Sequence, residues 1–195
     1  MSRLWYTYVS MKIFYTTSFY GKDKYQKNYD LVLKTLDETG VEVLSPEKGN
    51  YLGLLNKKLT DKLKDPKKIH YEAIRKGIAS SQAVVIEISN EDFQLGHEAT
   101  LAIQGRKHVL CLSINEDFSK KIINPYFHGA KYNLYNVEEV VQDFIKMVRQ
   151  ESLGERFNMF LSSKQIEFLD KAAKDRSLNK SEYIRMLIDN DRRNV

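Results

Sequence analysis

The stretch AVVIEISNEDFQLGHEATLAIQGRKHVLCLS, residues 83–113, contains the pattern that decides the fold. Its two apolar runs, AVVIEIS and KHVLCLS, are nearly continuous, which predicts strands that are covered on both faces. Between them, FQLGHEATLAIQG has the apolar spacing and the final glycine of a helix. A strand, a helix and a strand in this order predict a parallel sheet with helices on both faces.

The segments on either side continue this alternation. Strands are predicted at residues 12–16, 41–45 and 131–136, and helices at residues 24–39, 66–80 and 137–149, with Gly40 ending the first helix. The segment KYNLYN, residues 131–136, has the weakest strand pattern of the set. The sequence therefore predicts a Rossmann-like α/β domain, an open parallel sheet flanked by helices, over residues 11–150.

Length and composition limit the class of protein. A chain of 195 residues with 42% hydrophobic residues can form one medium domain and one small domain. No apolar run approaches the roughly 20 residues of a membrane span, and the N-terminus lacks the features of a secretory signal, so we expect a cytoplasmic protein without a membrane partner. The net charge of +5 permits an anionic partner but does not require one.

Cysteine and histidine usage indicates that no metal or other cofactor is needed. Cys111, the single cysteine, lies within an apolar strand, so a disulfide framework and a thiolate metal site are both excluded. The histidine and acidic residues do not have the spacing of metal ligands. We therefore expect chemistry that depends on the protein's own side chains.

Ligands of open parallel sheets bind at the carboxyl ends of the strands. Three segments should meet there: residues 16–22, residues 89–98 and the chain after Ser113. The first segment is rich in hydroxyl groups but lacks the glycine patterns that cradle phosphates. The second ends in Gly96, His97 and Glu98, which places a carboxylate where a substrate would bind.

These features together resemble one enzyme family. The hydroxyl-rich loop, the runs SSQAVVIEIS and LGHEATLAIQGRKHVLCLS, and FHGAKY are similar to the nucleoside 2-deoxyribosyltransferase-like family, including its branch that hydrolyses deoxynucleoside 5'-monophosphates. The resemblance covers about residues 11–148 and implies that Glu98 is the nucleophile that attacks the anomeric carbon and forms a glycosyl-enzyme ester. A carboxylate suits an oxocarbenium-like transition state, which gathers positive charge at that carbon. Water would complete a hydrolysis, and a second base would complete a transfer.

The resemblance also implies that the partner is a nucleoside or nucleotide. The residues that it places around this small molecule are Tyr15, Thr16, Thr17, Ser18, Gly21, Asp92, Gly96, His97 and Asn124.

Several positions depart from the family pattern. The tyrosine that orients the nucleophile aligns with Phe14, and Tyr15 should point to the other face of the strand. The aspartate that assists departure of the base aligns with Ile74, which leaves Glu72, Arg75 and His70 as possible substitutes and the acid unassigned.

The acidic turn departs from the monophosphate-hydrolysing branch. Where that branch has a phosphate-binding serine, this chain has Asp92 beside Glu91. Two anions repel a phosphate, which favours a nucleoside or a differently oriented nucleotide.

Three of these residues could have a structural role instead of a role in binding or catalysis. Glu98 could complement the dipole of its helix instead of acting on a substrate. His97 could pack its ring against the substrate or the core more readily than transfer a proton. Asn124 could shape the turn around Pro125 without contacting a substrate.

A second unit, residues 156–195, follows a linker at residues 151–155. Apolar and polar residues alternate from Arg156 to Leu161, and two amphipathic helices follow, of which the second starts with a capping-box pattern of Asn179 and Glu182. One strand and two helices in so short a segment cannot bury a core alone, so the unit needs a partner. It resembles a ribbon-helix-helix domain, which implies a homodimer or a higher even oligomer.

In the ribbon-helix-helix family the two paired strands read the major groove of double-stranded DNA. The alternation directs Phe157, Met159 and Leu161 to the core and leaves Arg156, Asn158 and Phe160 outside. Arg and Asn can pair with base edges, and Phe160 could contact a thymine methyl or indicate that the ribbon no longer reads DNA. Lys180 and Ser181 resemble the family's phosphate clamp.

Two functions follow from these resemblances. One is an enzyme, a nucleoside deoxyribosyltransferase or N-glycoside hydrolase that the tail dimerises. The other is a DNA-binding transcriptional regulator whose enzyme-like domain senses a nucleoside or nucleotide. Glu98 favours the enzyme, whereas Phe14 and Ile74 favour the regulator.

Overall fold

The computed structural model describes residues 11–151 and 157–193. The chain divides into two compact units, one up to residue 152 and one from residue 153. The first unit contains β1 (Lys12–Thr17), α1 (Lys22–Glu38), β2 (Glu42–Leu44), α2 (Lys57–Leu63), α3 (Pro66–Ser80), β3 (Ala83–Glu87), α4 (Phe93–Gln104), β4 (His108–Ser113), β5 (Phe127–Lys131) and α5 (Val137–Glu151). The second contains α6 (Ser163–Lys174) and α7 (Lys180–Arg193).

The first unit is the predicted Rossmann-like α/β fold. Its five strands lie in the order β2-β1-β3-β4-β5, and every neighbouring pair is parallel. The chain moves to one side of β1 to form β2 and to the other side to form β3, so the strand order reverses between β1 and β3. A cleft opens at the carboxyl ends of strands at such a switch point. Thr17 of β1 lies opposite Glu87 of β3 at this edge.

Helices cover both faces of the sheet. Tyr15 and Val85 belong to the core cluster shared with α1 and α5, whereas Phe14 and Ile86 belong to the cluster shared with α3 and α4. The opposite directions of Phe14 and Tyr15 confirm the prediction from strand alternation. Gly77 lets α3 pack closely on β1, because a Cβ atom there would overlap the ring of Phe14.

The prediction of a strand at residues 131–136 is wrong, because β5 lies upstream, at Phe127–Lys131. Asn133 and Asn136 explain the difference, since their side chains accept hydrogen bonds from backbone N–H groups and stabilise a turn. Gly129 lies within β5, and a glycine weakens the sequence pattern of a strand. The packing of the folded chain nevertheless requires a glycine at this position. A Cβ atom at that position would overlap the backbone of Ser119.

The second unit has a small core. Leu169, Ala172, Ala173 and Tyr183 are its buried apolar residues among those described. Both helices begin with reciprocal caps, Ser162 with Gln165 and Asn179 with Glu182, and the second pair was predicted. Residues 157–161 adopt no regular secondary structure in the single chain. Pairing of this segment into a ribbon stays a prediction, and Arg156 lies outside the described residues.

Within the parts of the chain that the structure describes, no helix is long and apolar enough to cross a membrane.

Candidate functional site

The loops after β1 and β3 meet at the switch point. Ser18 Oγ donates a hydrogen bond of 2.8 Å to Asp92 Oδ2, and Asn90 Nδ2 donates one of 2.9 Å to Ser18 Oγ. Asp92 also caps α4, because its Oδ1 accepts the backbone N–H of Gln94 at 2.9 Å. The α4 helix starts at Phe93, so the second loop is shorter than the predicted segment of residues 89–98.

Glu98 is buried in the second turn of α4, with 2% of its surface exposed. Its Oε1 accepts a hydrogen bond of 2.8 Å from Gln94 Nε2. Its Oε2 is buried and has no hydrogen-bond partner among the described residues. The helix dipole acts mainly on the first turn, which contains no acidic residue, so complementing the dipole does not account for Glu98.

Burial raises the pKa of the Glu98 carboxyl to about 7. The Gln94 amide, which donates to Oε1, and the nearby Thr16 side chain lower this pKa, and the negative charge of Asp92 raises it. Loss of hydration disfavours the charged form of a buried carboxyl, which explains the direction of the change. A carboxyl with a pKa near neutral pH can be used both ionised and protonated, as catalytic carboxyls are.

The candidate residues of β1 separate into different environments. Thr16 is buried and close enough to Glu98 to affect its ionisation. Tyr15 is buried on the other face, where its hydroxyl donates to the carbonyl of Tyr29 at 2.9 Å. Thr17 Oγ1 donates to Glu47 Oε1 at 3.4 Å.

Gly21 and Gly96 differ in the space around them. Gly21 is buried, and a Cβ atom there would overlap the Tyr29 hydroxyl and the Asn90 side chain. Gly21 therefore permits close packing beneath the loop that contains Ser18. A Cβ atom at Gly96 would meet nothing within 4 Å.

His97 lies on the exposed side of α4, next to Glu98 in sequence. Its ring stacks on Tyr71 of α3, with centroids 6.1 Å apart and an interplanar angle of 19°. This geometry favours ring packing over proton transfer as the role of His97.

Asn124 is not brought to Glu98. It precedes β5, at the edge where the strands begin, and its Oδ1 accepts the N–H of Tyr126 at 2.9 Å. The carboxyl ends of β1 and β3 are at the opposite edge, since all strands are parallel. Within one chain, the Asn124 side chain shapes a turn.

The residues considered as substitutes for the missing acid have partners of their own. Glu72 forms an ion pair with Arg75 at 2.8 Å on α3. His70 Nδ1 lies 2.7 Å from the Tyr51 hydroxyl, and burial lowers the pKa of His70. Ile74 is buried in the core.

Sequence reasoning missed Glu87, a second buried acid at the same edge of the sheet. Its carboxylate accepts hydrogen bonds from the Tyr132 hydroxyl at 2.9 Å and from the Ser89 N–H at 3.2 Å, and it also contacts the Ser89 hydroxyl. Burial raises the pKa of Glu87. The signal in the sequence was an acidic residue within an otherwise apolar strand, AVVIEIS.

The described candidate DNA-binding residues of the second unit lie at the protein surface. Asn158, Phe160 and Ser181 are all exposed, and the Phe160 ring is fully so. Lys180 Nζ forms an ion pair with Asp170 at 2.8 Å. A phosphate would therefore compete with a carboxylate for this lysine.

No group of three or more His, Cys, Asp and Glu side chains could hold a metal ion within residues 11–151 and 157–193.

Comparison with known proteins gives weak similarities. No protein-family model matches the chain, and no curated protein matches its sequence. The CMP N-glycosidase BcmB of Clostridium botulinum is 13% identical with a TM-score of 0.45, covering 70% of this chain and 98% of that chain. A prokaryotic SEFIR domain is 15% identical with a TM-score of 0.44, covering 77% of this chain and 100% of that chain. At these values neither similarity assigns a family or an activity.

Proposed function

We propose that the α/β unit is an enzyme that cleaves the N-glycosidic bond of a nucleoside or nucleotide, with Glu98 as its nucleophile. The supporting observation is the environment of Glu98, which is buried at the switch point with Oε2 lacking a hydrogen-bond partner among the described residues. An unsatisfied buried carboxyl oxygen costs stability, so its presence calls for a functional reason. The sequence resemblance to nucleoside 2-deoxyribosyltransferase-like proteins independently selects the same residue.

In the proposed reaction, Glu98 Oε2 attacks the anomeric carbon while the bond between that carbon and the base nitrogen breaks. The bonding electrons leave with the base, which gains a proton from solvent or from an acid that is still unassigned. The sugar stays attached to Glu98 as an ester. Attack by water then regenerates the carboxylate in a hydrolase, and attack by a second base does so in a deoxyribosyltransferase.

The experiment is an assay of base release. The protein is incubated with ribonucleosides, deoxynucleosides and their 5'-monophosphates, each with and without a second free base, and the products are separated by chromatography. Glu98→Ala should abolish release and exchange, whereas Glu139→Ala, at an exposed acid on α5, should leave both intact. Equal activity of the Glu98→Ala and wild-type proteins would remove Glu98 from the mechanism.

The second unit is proposed to pair with a second copy of the chain. Phe157, Phe160 and Phe168 expose most of their rings, and an apolar groove is lined by residues that include Met159, Leu161 and Ile184. Each large apolar side chain that is removed from water stabilises an assembly by roughly 1.5–3 kcal/mol. We therefore expect a homodimer or a higher even oligomer, and light scattering that shows a folded monomer at micromolar concentration would contradict it.

The alternative function is a DNA-binding regulator whose α/β unit senses a nucleoside or nucleotide. Exposure of Asn158 and of the apolar residues Phe157, Met159 and Phe160 on the segment before α6 supports it, because a group of exposed apolar side chains often marks a contact site. The ion pair between Lys180 and Asp170 weighs against it. Titration with duplex DNA at two salt concentrations distinguishes a regulator from an enzyme that the tail only dimerises.

A further inference from the structure

We infer that Gln94 is the positioning residue of the nucleophile, holding Oε1 of Glu98 so that Oε2 is the oxygen that attacks the substrate. The inference rests on the proposed function of Glu98. It concerns a residue that the sequence comparison with the enzyme family did not select.

The first observation is that the two oxygens of Glu98 are not equivalent. Gln94 Nε2 donates to Oε1 at 2.8 Å, whereas Oε2 has no hydrogen-bond partner among the described residues. Gln94 and Glu98 are four residues apart, so they are neighbours on the surface of α4. An amide held in this way restricts rotation of the carboxylate and keeps a lone pair of Oε2 directed away from Gln94.

The second observation is that Gln94 itself is held in place. Its backbone N–H donates to Asp92 Oδ1, and Asp92 Oδ2 accepts from Ser18 Oγ, which in turn accepts from Asn90 Nδ2. These hydrogen bonds link the loops after β1 and β3 to the first turn of α4. Contacts that hold a catalytic group to within a fraction of an ångström can affect rates strongly.

The third observation is that the two positions where the family pattern has polar residues on β1 and α3 are apolar here, although Thr16 of β1 is close enough to Glu98 to affect its ionisation. Phe14 and Ile74 occupy these positions, and both are buried among apolar side chains. A glutamine suits the role because its amide donates a hydrogen bond at every pH at which the protein is folded. It also lowers the pKa of Glu98, which favours the ionised form that can attack.

Gln94 can be replaced without damage to the core, because it is an exposed residue that belongs to none of the apolar core clusters. Gln94→Met preserves length and helix propensity but removes the donor. Gln94→Glu preserves length and brings a second carboxylate to Glu98. Gln104→Met, the same change at the exposed end of α4, is the matched control.

The first measurement does not require activity. The Glu98 carboxyl carbon is followed by ¹³C NMR during a pH titration, with the Glu98→Gln spectrum used for assignment. In Gln94→Met the pKa of Glu98 should rise by about one pH unit, and in Gln94→Glu it should rise further, because a donor is lost and then a like charge is added. It should not move in Gln104→Met. An unchanged pKa in Gln94→Met would overturn the inference.

The second measurement is the rate of base release. Gln94→Met should reduce kcat by roughly tenfold or more with little change in KM, because orientation affects the reaction more than binding. A normal kcat in Gln94→Met would also overturn the inference while leaving Glu98 as the nucleophile. Absence of base release from the wild-type protein with every substrate would instead overturn the proposed function.

Discussion

Ser18, which follows β1, donates a hydrogen bond of 2.8 Å to Asp92, the cap of α4, across 74 positions of the sequence. The sequence suggested that Asp92, beside Glu91, repels a phosphate. In the folded chain both oxygens of Asp92 are used, one by Ser18 and one by the N–H of Gln94. Asp92 is thus a structural link between two loops, and it affects Glu98 through its charge and through Gln94.

The pH dependence of catalysis should report the ionisation of Glu98. Burial raises the pKa of this carboxyl to about 7, and only the carboxylate can attack the anomeric carbon. We expect kcat/KM to rise about tenfold per pH unit below the pKa and to level off above it. A profile that is flat between about pH 5 and pH 8 would show that Glu98 ionisation does not limit the reaction.

The free energy of unfolding should also depend on Glu98. Its pKa is raised in the folded protein, to about 7 from 4.5, so its contribution to stability is full below the unfolded pKa and is lost as the pH rises through the folded one. The loss is on the order of 3 kcal/mol. Glu98→Gln should therefore be more stable than wild type near pH 8.

Urea titrations at several pH values would measure this difference. The gain in Glu98→Gln should shrink as the pH falls and disappear at about pH 4, where the wild-type carboxyl is protonated. Glu139→Gln, at an exposed position on α5, controls for the substitution itself. A constant difference at all pH values would mean that the buried charge is not its cause.

Two glycine substitutions should have opposite effects on stability. Gly21→Ala places a methyl group against the Tyr29 hydroxyl and the Asn90 side chain, so we expect a loss of about 1–3 kcal/mol. Gly96 is exposed within α4, and a Cβ atom there would meet no atom within 4 Å apart from its chain neighbours and the nearby backbone of its own helix. Gly96→Ala should stabilise the helix by roughly 0.5–1 kcal/mol. Thermal unfolding of both variants checks this, and a destabilised Gly96→Ala protein would mean that Gly96 has a contact outside the single chain.

DNA binding by the second unit has its own pattern of expected results. If residues 157–161 form a reading ribbon, Asn158→Ala should reduce discrimination between a preferred duplex and random DNA by about 1–3 kcal/mol. Lys180→Ala should weaken binding to both duplexes alike and reduce the salt dependence. Lys146→Ala, on α5, is the control for charge.

Phe160→Arg separates the two roles of the tail. In a regulator, this substitution should change DNA selectivity. In a tail that only dimerises, it should alter assembly, because the exposed ring of Phe160 would then lie in the interface between two chains. Fluorescence anisotropy at two salt concentrations measures the first effect, and light scattering measures the second. No salt-dependent affinity in any variant would exclude the regulator.

Local patterns in the sequence determined much of the fold. The apolar runs around residues 83–113 predicted β3, α4 and β4, and strand alternation predicted opposite directions for Phe14 and Tyr15. The reciprocal cap of Asn179 and Glu182 was also predicted. These features depend on residues within a few positions of one another, so hydrophobic periodicity and capping chemistry specify them.

Tertiary packing decided the remainder. The sequence did not predict β5, because Gly129 weakens its strand pattern. The glycine is needed there because the backbone of Ser119 approaches too closely for a Cβ atom, and this contact exists only in the folded chain. Parallel pairing placed Asn124 at the edge opposite Glu98, although the family resemblance had grouped the two residues.

The sequence could select Glu98 as the candidate nucleophile near the carboxyl ends of the strands. It could not show that Glu98 is buried, that Oε2 has no hydrogen-bond partner among the described residues or that Gln94 donates to Oε1. These properties depend on how α4 packs on the sheet and on the hydrogen bond that joins Ser18 to Asp92. A side chain's ionisation depends on every group within a few ångströms of it, and folding brings those groups together from distant parts of the chain.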